Sequence, residues 1–125
     1  MAPDPATLDL LTALAESTRL RIVNCLAAAP LFVSELQEIL EIPQPTVSRH
    51  LRVLRDAGLV RDTPIAQYVL YRLRRPPEPQ GRVLSAVLDA AQQERMLVGE
   101  RADAMARSRR HARHRIALDT EERPA

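Results

Sequence analysis

Prolines and helix caps between residues 30 and 58 leave this chain few ways to fold. Pro30 stops any helix arriving from the N-terminal side, because its ring removes an amide and clashes with the preceding turn. Ser34-Glu35-Leu36-Gln37 reads as an S-x-x-Q capping box in which Ser34 and Gln37 satisfy each other's orphan amides, so a helix is expected to start at Ser34. It runs to about Glu41. Ile42-Pro43 then makes a tight turn, and Gln44-Pro45 opens a second helix over roughly 44–57, with proline in the first turn where its missing amide costs nothing. Gly58 supplies the left-handed residue that ends it.

The flanks extend this frame. Asp4-Pro5 reads as an N-cap and first helical position, followed by Leu8, Leu10, Leu11 and Leu14 at helical spacing. After Glu16-Ser17 a second apolar stripe, Leu20, Ile22, Val23 and Leu26, predicts another helix up to Pro30. From Leu59 the pattern alternates: LVRD, a turn around Thr63-Pro64-Ile65-Ala66, then QYVLYRL, which is a β-hairpin. Pro76, Pro77 and Pro79 punctuate the chain. One long helix is expected from about Gly81, with Leu84, Val87, Leu88, Ala91, Leu97 and Val98 on one side and Gly99 marking a close crossing or a kink. The expected organisation is one domain over 1–110 and a polar, frayed tail over 111–125.

A short helix, a tight turn and a longer helix form a helix-turn-helix, whose second helix enters the major groove of DNA. With the hairpin as a wing, the fold is read as mainly α with a small β-hairpin: a winged helix-turn-helix. At about 100° per residue, Val47, Leu51 and Leu54 fall within about 60° of one another and form the packed face. Thr46, Arg49 and Arg52 then point away, with Ser48 and His50 on the flanks. Short hydrogen-bonding side chains near a helix N-terminus can approach base edges, and arginines can reach guanine or phosphate. The bland alternative, a merely solvated polar face, weakens once the face is coupled to the turn and the basic hairpin. Gln44 and Arg55 complete the expected helix contacts, and Arg61 and Gln67 those of the hairpin. Tyr68 and Tyr71 serve equally well as strand packing.

Charge is distributed accordingly. Residues 1–48 hold two arginines against six acidic residues, a net −4, whereas residues 49–75 hold seven arginines against two aspartates, a net +5. A local basic segment is what a phosphate backbone selects. All 18 basic residues are arginine, a uniformity that reflects genome composition more than function. The N-terminus carries acidic residues where a secretory signal would carry basic ones, and no run reaches the roughly 20 apolar residues of a membrane span, so a cytoplasmic location is expected. The single cysteine, Cys25, agrees with a reducing compartment. No phosphate loop and no nucleophile with a base at a recognised spacing is present, so no enzyme activity is expected.

ALAESTRLRIVNCL, then VSELQEILEIPQPTVSRHLRVLRDAGLV and YVLYRL, resemble the ArsR/SmtB family of winged-helix repressors over about residues 8–73. The stretch QPTVSRHLRVLRDAGLV carries most of the resemblance. It implies a homodimer joined by the first and last helices, through Leu8, Leu11, Leu84, Val87, Leu88 and Ala91. It also implies double-stranded DNA with an inverted-repeat operator as partner, and repression relieved by an inducer. Two-fold symmetry would set the recognition helices about 34 Å apart. The other reading keeps the fold but makes it a protein-interaction module.

Many members of that family sense thiophilic metals through a Cys-x-Cys pair before the recognition helix, where this chain has Phe32-Val33-Ser34-Glu35. One thiol cannot supply the several that a soft metal requires, so Cys25 is read as buried filler, with a reactive sensor thiol as the alternative. His111 and His114 are weak metal candidates, because six arginines between 101 and 115 would repel a cation. No cofactor is expected, and the inducer is unknown. The hairpin turn also lacks the glycine common in relatives.

Overall fold

The computed structural model describes residues 2–122, with side chains described from 2 to 111. Six helices and a three-stranded antiparallel sheet follow in the order α1 (Pro5–Leu14), α2 (Ser17–Ala28), β1 (Leu31–Phe32), α3 (Val33–Leu40), α4 (Gln44–Asp56), β2 (Val60–Ile65), β3 (Tyr68–Leu73), α5 (Gln80–Ala91) and α6 (Arg95–Glu122). Asp4 caps α1 by accepting from the Ala6 amide at 2.9 Å, and Glu16 caps α2 by accepting from Arg19 N at 2.9 Å. α2 is the axis of the core: Ile22, Val23 and Cys25 are fully buried among Leu10, Leu36, Leu51 and Leu84, contributed by α1, α3, α4 and α5. Each such buried leucine contributes roughly 1.5–3 kcal/mol relative to exposure.

Three boundaries differ from the sequence expectation. α3 begins at Val33, and its N-terminal box uses Glu35, which accepts from the Phe32 amide at 2.9 Å, instead of Ser34 and Gln37. Strand pairing of Leu31 with Tyr71 and Phe32 with Leu70 fixes the approach to the helix and leaves Ser34 exposed inside its first turn. The hairpin turn falls at Ala66-Gln67, because Thr63 and Pro64 are strand residues facing Leu70 and Val69. β2 is an edge strand in the order β1-β3-β2, and an edge tolerates a residue without an amide. Ala66 takes the positive φ of 55° that the turn requires.

The last helix is two helices. Gln92, Gln93 and Glu94 form tight turns back to Asp89, Ala90 and Ala91. On a continuous helix Leu97 would lie about 140° from Leu84, on the far side from the core. The break returns Leu97 and Ala104 to the protein and leaves Val98 exposed. α6 then runs antiparallel along α2 and reaches α3, continuing to Glu122, so the tail expected from 111 onward begins inside a helix.

Candidate nucleic-acid interface

α4 is held by a Schellman end in which Leu59 N bonds Leu54 O at 2.9 Å and Gly58 N bonds Arg55 O at 2.9 Å, with Gly58 at φ 77°. At its start, Thr46 and Val47 amides bond Pro43 O at 3.0 and 3.1 Å. Val47, Leu51 and Leu54 are fully buried, as the helical spacing requires. That packing leaves Gln44, Arg49 and Arg52 exposed and Thr46 and Ser48 half-exposed on the other side. Arg49 Nη2 reaches Thr46 Oγ1 only at 3.5 Å, and among the described residues the exposed Arg52 guanidinium has no hydrogen-bond or ion-pair partner.

The hairpin stands beside this face. Phe32, Ser34, Gln44, Ser48, Gln67 and Tyr68 line a groove of about 480 Å³ between the start of α3, the start of α4 and the hairpin tip. Tyr71, at its base, has its phenol pKa raised by burial and then by the Asp62 carboxylate, so it remains a neutral hydrogen-bond donor. Arg61 and Gln67 are exposed on the strand and at the turn. Arg55 is committed within the chain: its Nη1 lies 3.5 Å from Asp62 and its Nε 3.7 Å from Asp56, so it bridges α4 to the hairpin.

His50, like Arg55, is engaged within the chain. His50 is half-buried with Nδ1 3.6 Å from Glu16 Oε2 and 3.4 Å from Arg19 Nη1, so it ties α4 to the start of α2. Periodicity placed it on the flank, but the Glu16 cap and the Arg19 guanidinium, itself bonded to Ala13 O at 2.7 Å, draw it inward. Ser34 and Tyr68 were missed as groove residues. The signal for Ser34 was its polar side chain in the first turn of α3, which the sequence reading assigned to capping.

The other candidate sites divide similarly. Leu8 and Leu11 are exposed on α1, 47% each, whereas Leu84, Leu88 and Ala91 are buried in the chain's own core and Val87 is half-buried. Cys25 is fully buried and its thiol is pushed up to about 12 by burial and then by Glu100. His111 Nε2 lies 2.6 Å from each carboxylate oxygen of Glu35, while the side chain of His114 lies outside the described residues. Among the described residues no group of three or more His, Cys, Asp or Glu side chains is placed to hold a metal, and no helix is long and apolar enough to cross a membrane.

Comparison with known proteins addresses the same region. Residues 16–62, from the cap of α2 into β2, match the family model of bacterial regulatory proteins of the arsR family. The chain is 43% identical over 83 residues to the arsenic resistance transcriptional regulator of Pseudomonas putida, a match covering 64% of each chain. It is 35% identical over 95 residues to the HTH-type transcriptional regulator KmtR of Mycobacterium tuberculosis, covering 70% of this chain and 72% of that one. The solved structure of HlyU from Vibrio cholerae superposes with a TM-score of 0.61 at 33% identity, covering 68% of this chain and 90% of that one. The chain thus spans just under two thirds of the length of the Pseudomonas relative. The matched segment holds the turn, the packed face of α4 and its outward arginines, and this chain belongs to the arsR family of bacterial regulatory proteins.

Proposed function

We propose that this protein is a dimeric transcriptional repressor that binds an inverted-repeat operator in double-stranded DNA and leaves it when an inducer is sensed. The observation that carries the reading is the outward row of α4: Thr46, Arg49 and Arg52, exposed or half-exposed and largely uncommitted within the chain, beside a groove closed by the hairpin. In this reading Gln44, Thr46 and Ser48 approach base edges, Arg49 and Arg52 reach guanine or phosphate, and Arg61 and Gln67 meet the flanking backbone. His50 acts by orienting α4, and Arg55 by fixing the hairpin. Exposed Leu8 and Leu11 supply an apolar strip on α1 suited to a second copy of the chain.

The Pseudomonas putida relative is named as a regulator of arsenic resistance. A single buried thiol does not suit a soft metal or metalloid, so the inducer here is of another kind. Electrophoretic mobility of a fragment from the gene's own promoter tests the proposal. Wild type is expected to shift it with a steep loss of affinity as salt rises, and Arg49→Ala to weaken the shift by roughly tenfold, the 1–3 kcal/mol scale of a bidentate base contact. A wild type indifferent to the fragment at low salt overturns the operator-binding reading and favours a protein-interaction module.

A further inference from the structure

A second cleft, sharing no lining residue with the groove beside α4, lies where the last turn of α2 meets the end of β3. Residues 26–30, Leu-Ala-Ala-Ala-Pro, line it together with Leu73, Arg72 and Arg75. Its volume is about 350 Å³, at the small end of the range for ligand sites. Among the described residues no carboxylate lines it.

The charge here is unbalanced. Arg72 stands directly opposite Arg61 in the hairpin register, and both are exposed. Like charges facing each other across two strands are destabilising, and among the described residues neither has a carboxylate partner. Arg75 reaches only the Ser85 hydroxyl, at 3.4 Å. Elsewhere Arg21, Arg82 and Arg107 are paired with Glu100, Glu78 and Glu38.

The facing wall selects among anions. α2 ends at Ala28, so residues 26–28 belong to its last turn, where free carbonyls carry the negative end of the helix dipole. A free phosphate would meet guanidinium groups on one side and carbonyl oxygens on the other. A ligand charged at one end only satisfies both walls: its carboxylate takes the guanidinium forks, and its apolar body covers the alanines, Leu26, Pro30 and Leu73.

We propose that this cleft binds a small organic monocarboxylate, clamped by Arg72 and Arg75, with an apolar body the size of a phenyl ring or a short alkyl chain. The site does not depend on the operator-binding reading.

Benzoate and hexanoate are the probes. Each is titrated into the isotope-labelled full-length chain while NMR follows the backbone amides of residues 26–29 and 72–75 and the Nε signals of Arg72 and Arg75. A saturable shift at those signals is expected, with a dissociation constant of about 1 mM for ligands this small. Benzamide, which keeps the shape of benzoate without its charge, should bind about tenfold more weakly or worse, and so should inorganic phosphate, which lacks the apolar body. The double variant Arg72→Gln, Arg75→Gln alters only exposed side chains and should weaken benzoate by about tenfold or more. Arg110→Gln, on the stretch of α6 beside α3, should match wild type. The proposal is overturned by no saturable shift with either probe up to about 10 mM, by an equal response to benzamide or phosphate, or by undiminished affinity in the double variant.

Discussion

The outward face of α4 and the seam between α2 and α6 are both rich in arginine, yet the two regions use it in opposite ways. Along the seam arginine is engaged within the chain. Arg21 bonds Glu100 at 2.5–3.1 Å and Leu40 O at 3.1 Å, Asn24 donates to Leu97 O at 2.8 Å, and Arg101 Nε donates to Asn24 at 3.2 Å. Among these groups only Arg101 Nη2 is buried without a partner. On α4, Arg49 and Arg52 are exposed with almost nothing to bond inside the chain. An arginine facing a carboxylate is spent on holding the fold, and one facing solvent beside a groove is available to a partner.

The sharpest test of that contrast is Glu100→Ala. The Arg21–Glu100 pair has side chains only 20% and 10% exposed, and the guanidinium pKa is raised first by the Glu100 hydrogen bond. Removing Glu100 strands a mostly buried cation, at a cost of about 3 kcal/mol, the lower end for breaking a buried pair. Urea unfolding monitored by circular dichroism measures it. A loss below about 1 kcal/mol, the scale of a surface pair, would mean that the seam charges are as free as those of α4.

On α4 the expected outcome reverses. Arg52→Ala should leave stability within about 0.5 kcal/mol and reduce the salt slope of operator binding by about 0.9. Thr46→Ala or Ser48→Ala should shift the base preference at one operator position by roughly 1 kcal/mol with little change in slope. Competition binding against singly substituted operators separates the two classes. If all three variants lose affinity uniformly and with the same slope change, α4 has no division between positioning and reading.

Local rules made most of the reading half legible. The spacing of Val47, Leu51 and Leu54 gives the buried face of α4, and Gly58 gives its end. What escaped depended on partners distant in sequence. His50 turns inward because of Glu16 and Arg19, more than 30 residues away, and Arg55 is claimed by Asp62 through the hairpin register. The Ser34 box lost to Glu35 because Leu31 and Phe32 pair with β3, a contact invisible to helix-cap signals. The break at 92–94 was visible in principle, since the apolar stripe changes phase between Ala91 and Leu97. Val98 masks the change, because on an unbroken helix it falls within about 20° of Val87 and Ala91 although it is exposed.

Cys25 gives the smallest expected effect and tests the seam at its most reactive group. Its thiol is fully buried, with Sγ 3.9 Å from Glu100 O. Burial and the Glu100 charge favour the neutral form and push its pKa to about 12, so at pH 8 the thiolate fraction is on the order of 10⁻⁴. Raising the pH from 7 to 9 increases that fraction a hundredfold and still leaves it minor. Iodoacetamide should therefore leave the native protein unlabelled across this range and modify it promptly once urea unfolds it, with mass spectrometry as the readout. Operator affinity should likewise be indifferent to arsenite and to mild oxidants. Native labelling at the rate of an exposed thiol, or a response to those reagents abolished by Cys25→Ser, would move this residue from the packed seam into a sensing site and break the contrast with α4.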